Sequence, residues 1–403
     1  MPPPQFLDRN SPPHIGTLIA LSGMSALAMN LFLPSLPGMA AYFNTSPAVI
    51  GLSVGVYLFV NAALQMVIGP ISDKYGRRRV ILAGLLIYLV ATLGCLASTN
   101  ATMFLSFRML QASVAVAMVL SRAVVRDTTP AEESGSKIAY VTMGMAIVPM
   151  IGPAIGGYLE QHFGWHANFW LLFAAGLATL ALAWADMGET ARPSGFTLAQ
   201  QYREMPELLK SPRFWGYSLS TLFAAGSFFS FLGGAPFIAS NVFHLEPQEL
   251  GLYFASPSLG YFFGNFFAGR YSSRIGVNRM ILLGFLFTLL GVGTSFALEL
   301  AGAQQLWTFF ALMVPVGVGN GVSIPNGMSG ALSVRPELAG TASGLSGALM
   351  LAGGAGLSAL SGLLLKDGTS AFPLVLLMTL STVIGIVMIL LVMRREARLG
   401  TAV

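Results

Sequence analysis

Arg108 places the strongest demand on its surroundings of any side chain in this sequence. It lies about six residues into an apolar run over 102–124, roughly 9 Å along a helix rising 1.5 Å per residue. A guanidinium at that depth in lipid is costly, so it faces a cavity or a partner. Asn30 sits about seven residues before Pro37 in another apolar run, roughly 10 Å deep by the same rise. The two therefore belong at similar depth. Other embedded polar residues are sparse: Gln111, Gln65 and Asn265, with Asn320 and Asn326 beyond them. Phe223, Phe228, Phe229, Phe231, Tyr253 and Phe254 cluster in two neighbouring runs. A large apolar pocket with few polar groups suits lipophilic small molecules. Because no deep acid opposes Arg108, neutral or weakly anionic molecules are expected to be favoured over cations.

Other chemistries lack their residues. Asp8, Asp127, Glu132, Glu133, Asp186, Glu189, Glu204, Glu207, Glu337 and Glu396 fall on one side of the apolar runs. Glu160, Glu246, Glu249, Glu299 and Asp367 fall at or near the other ends, and Asp73 closes a run. His14, His162, His166 and His244 are terminal or in loops. Cys95 is the single cysteine, which excludes an internal disulfide and a Cys-based metal site. No His, Cys, Asp or Glu cluster has catalytic or metal spacing. An intramembrane enzyme is excluded on these grounds, and no metal or organic cofactor is expected.

The elements that hold these residues are membrane helices. The chain is 403 residues long, 55% hydrophobic and 9% charged, with a mean hydropathy of +0.72. So few charges cannot solvate a soluble fold. The apolar runs are hydrophobic on all sides, unlike the amphipathic helices of a soluble bundle. At about 20 residues per crossing, the spans read as 15–36, 47–71, 79–98, 102–124, 136–159, 165–186, 213–239, 247–271, 278–299, 306–329, 338–364 and 371–393. The first 14 residues lack a cleavable-signal pattern, so the first helix is expected to be retained. With the N-terminus inside, Lys366 is the only one of 21 basic residues in an outer loop, and Arg108 the only one well inside a span. The basic-inside rule then places both termini in the cytoplasm. The net charge of +5 reflects this topology, and nucleic acid is not an expected partner.

One stretch punctuates the chain. Residues Gly69 to Arg79 put five charges (Asp73, Lys74, Arg77, Arg78, Arg79) between two apolar runs. The pattern returns 200 residues later, where Gly69, Ser72, Gly76, Arg79, Ile81, Leu82 and Gly84 match Gly269, Ser272, Gly276, Arg279, Ile281, Leu282 and Gly284. At the same offset Phe43, Pro47, Gly51 and Leu52 match Phe243, Pro247, Gly251 and Leu252. The chain thus divides into an N-terminal segment 1–14, a six-helix half 15–186, a polar linker 187–212 with an amphipathic run near Thr197–Leu209, a second half 213–393 and a tail 394–403. The fold expected is an all-α membrane protein of twelve helices in two pseudo-symmetric halves. Parallel halves place a substrate site at their interface near the midplane. Asp73 can pair with Arg77 or Arg78, as can Asp127, and latch the inner side shut. Such a latch biases the inward–outward equilibrium. Ser273 stands where Asp73 stands in the first copy, so the latch is expected in one half only. A purely topogenic basic cluster is the competing reading. Gly152, Gly156 and Gly157 let helices approach closely, and Pro149 and Pro153 can bend the helix that carries them.

These residues resemble the major facilitator superfamily. The Gly69–Arg79 stretch is similar to that family's loop between helices 2 and 3. Arg108-x-x-Gln111 resembles its Arg-x-x-Gln-Gly of helix 4, with Ala112 in place of the glycine. Pro149-x-x-Gly152-Pro153-x-x-Gly156-Gly157 is similar to its helix-5 antiporter motif. Leu33-Pro34-Ser35-Leu36-Pro37, Arg122-x-x-x-Arg126-Asp127, Gly164-Trp165, Pro325-Asn326 and Gly340-Thr341-Ala342-Ser343 point to the bicyclomycin/chloramphenicol-resistance branch of drug:proton antiporters. The resemblance implies the twelve-helix fold, a cavity lined by helices carrying Asn30 and Arg108, and gating contacts among Gly69, Asp73, Gly76, Arg77, Arg78, Arg126 and Asp127. It places the partner of Asp73 at the start of helix 11, near Gly340. It also implies a monomer in the bacterial inner membrane that exports lipophilic drugs, phenicols included, against protons. At position 30 the branch usually carries Asp, a buried acid that exchanges a proton against substrate. Three readings of Asn30 follow. It is a neutral substitute for a native Asp; or protons couple elsewhere, with Asp73 the nearest carrier; or transport is not proton-driven. Export or facilitated movement of an endogenous metabolite is the alternative to drug efflux, and a non-transporting receptor or assembly factor is a further class.

Overall fold

The computed structural model describes residues 6–9, 11–129, 131–190, 206–335, 338–365 and 370–399. Residues 191–205, which hold most of the amphipathic run read in the linker, lie outside that set; 206–209 are helical. We number the long helices in chain order. They are α1 (Ile15–Tyr42), α2 (Pro47–Tyr75), α3 (Arg77–Leu96), α4 (Ala101–Gln111 and Ala115–Thr128), α5 (Ala131–Phe163), α6 (Trp165–Asp186), α7 (Pro212–Asn241), α8 (Pro247–Tyr253 and Ala255–Ile275) and α9 (Val277–Leu300). The last three are α10 (Leu306–Ser333), α11 (Ala339–Leu364) and α12 (Phe372–Leu399). Among the described residues, 10 of these helices are long and apolar enough to cross a membrane. The protein is a multi-pass membrane protein with an all-helical fold.

The duplication is visible in detail. Gly76 and Gly276 have φ of +96° and +91°, a backbone that favours glycine, and each accepts the chain from one membrane helix and starts the next. Phe43 packs on Phe104 at 5.5 Å, and Phe243 packs on Phe309 at 5.6 Å. Spans α4 and α10 are both interrupted, α4 through a 3-10 turn at Ala112–Val114 and α10 nearer its start, at Leu312. On α3, Leu86, Ile87 and Val90 are exposed, and their repeat mates Leu286, Phe287 and Leu290 are exposed on α9. These are lipid-facing stripes, since in a bilayer apolar exposure carries no penalty.

The bundle has two ends. One carries the basic loops 70–79 and 270–279; the other, here the far end, carries the loops near 43–46 and 242–246. The halves meet along α2 against α11 and α5 against α8. These are the same pair twice, exchanged by the duplication. A Cβ on Gly157 of α5 would overlap the Pro247 carbonyl of α8, and one on Gly251 would overlap the Pro153 carbonyl. A Cβ on Gly362 of α11 would reach Ala48 Cα of α2 at 3.5 Å.

Some boundaries differ from those read in the sequence. Helix α1 continues through a 3-10 turn at Leu33–Ser35 to Tyr42, because Pro34 and Pro37 fit first-turn positions and redirect the helix without ending it. Helix α12 runs to Leu399, past the end read at 393. Its Glu396 is buried and holds Arg213 at 2.6 Å, with Tyr217 Oη and Asn278 Nδ2 donating to it at 3.0 and 2.5 Å. Those bonds draw the first turns of the tail into the second half.

The positive-φ turns make a stability prediction. Gly276→Ala should cost about 1–3 kcal/mol from backbone strain, lowering the thermal midpoint in detergent. Gly269→Ala, on an open helical face with no atom within 4 Å, should be neutral or slightly stabilising.

Candidate functional site

Arg108 is fully buried inside the first half. Its Nη2 donates to the Ala28 carbonyl at 2.9 Å and its Nε to the Ser53 carbonyl at 3.4 Å. Its Nη1 donates to Gln111 Oε1, and Gln111 Nε2 donates on to Thr92 at 2.8 Å. The guanidinium lies 4.3 Å from the ring centres of both Phe32 and Tyr57, where aromatic faces attract a cation. The charge is solvated by carbonyls, an amide and two rings, and it ties α1, α2 and α4 together. Of the two surroundings read for Arg108, a cavity or a partner, the structure shows partners, and Gln111 is enclosed with it.

Asn30 is buried, and its Nδ2 donates to the Ala26 carbonyl at 2.8 Å. Arg108 reaches Ala28 and Phe32 of the same helix, and its bonds do not include Asn30. Similar depth does not bring the pair into contact. Azimuth separates them: two residues along a helix is a turn of about 200°, so Asn30 lies on the opposite side from Ala28 and Phe32, against Gly152 of α5. Phe231 is also enclosed, with Phe254, Phe309 and Phe310 around it. Gln65 does reach the boundary between halves, its Oε1 3.0 Å from where a Cβ on Gly347 of α11 would stand. Its repeat mate Asn265 donates to its own helix at Tyr261 O, 2.8 Å.

The basic end is braced within one half. Arg77 forms an ion pair with Asp73 at 2.5 Å and with Asp127 at 3.0 Å, and also donates to Ser72 Oγ. Of the two arginines proposed for the latch, Arg77 thus holds both acids. Arg78 goes elsewhere, donating to the Met187 carbonyl at 2.7 Å and the Trp184 carbonyl at 3.1 Å, so it satisfies the end of α6. Its repeat mate Asn278 makes the equivalent tie from α9 to α12 through Glu396. Gly69 has open space around it. The side-chain surroundings of Arg126, and of Gly340 in the first turn of α11, lie outside what the structure describes.

Helix α5 performs two jobs. A Cβ on Gly156 would overlap the Leu31 carbonyl of α1, so this glycine seats α5 in its own half, while Gly157 seats it on α8. Gly152 lies close to Leu27 and Asn30. Pro153 lacks the N–H that would bond the carbonyl four residues back. That freed carbonyl, on Pro149, accepts the Ser258 hydroxyl of α8 at 3.1 Å. The Pro–Gly pattern therefore builds a helix whose backbone is available to the opposite half. Among the described residues no three His, Cys, Asp or Glu side chains gather where a metal ion could be held.

The family model of the Major Facilitator Superfamily matches residues 18–246 and 217–402. The chain belongs to the major facilitator superfamily. Among its relatives, a chloramphenicol resistance protein of Pseudomonas aeruginosa is 32% identical over 323 residues, 79% of this chain and 76% of that protein. Multidrug resistance protein D of Escherichia coli (strain K12) is 28% identical over 379 residues, 93% of each chain. A bicyclomycin resistance protein homolog of Haemophilus influenzae is 26% identical over 375 residues, 92% of this chain and 93% of that one. The branch read from the motifs agrees with these relatives. The crystal structure of a bacterial homolog of the human lysosomal transporter Spinster, inward-facing and occupied, superposes with a TM-score of 0.76 at 16% identity, covering 94% of this chain and 96% of that one. At that identity the likeness shows the facilitator fold alone.

Sequence reasoning missed Glu160, which it left at an outer helix end. Its carboxylate lies against Gly38 of α1, in a cavity shared by the two halves of the facilitator. A glycine in α1 at the far end was the available signal.

Two outcomes check this site. Arg108→Lys keeps the charge but loses the forked donors, so it should lower stability by about 2 kcal/mol, the scale of one or two charged hydrogen bonds, read as a lower thermal midpoint. Gly157→Ala puts a methyl into the Pro247 carbonyl. It should part the far ends, raising solvent labelling of a cysteine placed at Asn241 and slowing transport.

Proposed function

We propose that this facilitator exports lipophilic, neutral or weakly anionic drugs, phenicol-like compounds included, by alternating access. The observation that carries the reading is the pair of glycine-lined seams, α2–α11 and α5–α8, on which two self-contained halves can rock. The printed names of the chloramphenicol, bicyclomycin and multidrug resistance relatives supply the substrate class. The seams put the cargo path between the halves, with Gln65 at the α2–α11 boundary. The basic-inside rule orients the basic end and both termini toward the cytoplasm of a bacterial inner membrane. The transporter works as a monomer, with the proton as coupling ion and no other cofactor. One feature favours a second reading, a facilitator of an endogenous metabolite that uses no proton gradient: Asn30 stands where the drug:proton branch carries an acid.

Expression in an efflux-deficient bacterium should raise the inhibitory concentration of chloramphenicol severalfold, and purified protein in liposomes should move it. Unchanged susceptibility across a drug panel, with accumulation of a metabolite in a deletion strain, would favour the second reading. Flux with and without an imposed proton gradient, for the chain as given and for Asn30→Asp, reads the coupling directly. Stronger gradient dependence in the variant is the expected result.

A further inference from the structure

Glu160 lies in the last turn of α5, one residue beyond the span read at 136–159. It lines a cavity of about 430 Å3 at the far end, between the halves. The first half contributes Pro34, Pro37, Gly38 and Glu160; the second contributes Ser240, His244, Glu246 and Pro247 among others. The carboxyl is held closely. One oxygen lies where a Cβ of residue 38 would be, so only glycine leaves room for it. Ser35 Oγ accepts from Asn168 Nδ2 at 2.8 Å, and the Ser35 hydroxyl nearby favours the ionised carboxyl. The other oxygen, Oε2, is buried with no partner. An ionised carboxylate with a buried, unbonded oxygen is expensive, and a protonated one much less so.

Among the described residues lining the cavity, His244 is the only one able to carry a positive charge. Helix α1 offers no titratable side chain to the cavity, and α6 offers Asn168 through Ser35. The α7–α8 connection offers His244 and Glu246, and Glu246 caps the start of α8. On α5 itself, His162 stacks on Tyr158 and bonds its carbonyl. Burial pushes the Glu160 carboxyl up to about 7, with Ser35 opposing. The rim of the cavity at His244 and Glu246 is exposed, but the seam contact between Gly157 and Pro247 lies within one helical turn of Glu160, so parting the far ends would bring water to the buried side of the carboxyl.

We propose that Glu160 is a proton-binding site of the transport cycle, holding a proton while the far ends of the two halves are packed together and releasing it to water when they separate. This rests on the alternating-access reading above. The step is a simple acid dissociation: the carboxyl O–H breaks, the electron pair stays on oxygen, and water takes the proton. The sign follows from linkage. The closed state has the raised affinity, so it takes up a proton as the far end closes. Falling pH through neutrality therefore favours closure, and rising pH favours opening.

The test places spin labels at Gln161→Cys and Asn241→Cys, both exposed and on opposite halves, in the full chain in lipid nanodiscs with Cys95→Ser. Distances are measured by double electron–electron resonance from pH 5 to 8.5. The closed-to-open ratio should rise at least about tenfold as pH falls, given the linkage of a carboxyl moving from ordinary to neutral-range affinity. Glu160→Gln should abolish the dependence and keep the far ends closed. Glu246→Gln and His244→Asn should each keep it, which tests the assignment even if Glu160→Gln fails to fold. A pH-independent distance in the parent chain, an unchanged response in Glu160→Gln, or loss of the response in either neighbour variant would overturn the proposal. The readout is conformational, so it stands or falls separately from whether chloramphenicol is moved.

Discussion

Where two membrane bundles must both adhere and move, lipid offers no hydrophobic force to hold them together. Adhesion has to come from close packing and from bonds to backbone. In this protein that constraint is met at α5 and α8. Gly157 and Gly251 remove the side chains that would hold the helices apart, and Pro153 leaves the Pro149 carbonyl free for Ser258. The equivalent seam, α2 against α11, has a close approach of its own, where a Cβ on Gly55 would come 3.2 Å from the Ala355 carbonyl. The duplication supplies the same joint twice.

The halves also share their internal bracing, with altered chemistry. A glycine with φ above 90° starts α3 and α9 alike. Two residues on, Arg78 ties α3 to the carbonyls ending α6, and Asn278 ties α9 to a buried carboxylate on α12. Asp73, Arg77 and Asp127 have no acid–arginine counterpart around Ser273. The first copy is braced by charge at the basic end, and the second by a Tyr217–Asn278–Glu396–Arg213 cluster.

Much of this was legible in the sequence. The spans, the division into halves and the family follow from apolar length, basic-loop placement and the fixed offset, because lipid thickness and charge cost leave few alternatives. The close-packing role of Gly156 and Gly157 was readable for the same reason. The sites were read less well. The sequence gives the depth of Asn30 and Arg108, while contact depends on azimuth and on helix rotation, which packing sets. Phe231 counted as a candidate wall of a pocket, yet an aromatic residue carries no mark that distinguishes wall from core. Glu160 was passed over because its position at a helix end is ordinary; only the folded chain shows Gly38 opposite and an oxygen without a partner.

The placement of the charges then bears on coupling. A group enclosed within one half keeps nearly the same surroundings when that half moves as a body, so its proton affinity changes little between states and it cannot bias them. Arg108, Gln111 and the Asp73–Arg77–Asp127 cluster all bond within the first half. They make that half rigid and fix the relation of α1 to α2, α3 and α4. Glu160 differs because part of its enclosure is supplied by the second half, through the α7–α8 connection. Its surroundings must change when the seam opens. With Asn30, which does not titrate, at the depth of Arg108 in α1, a titratable group is linked to the cycle where the halves part, and Glu160 meets that condition at the far end.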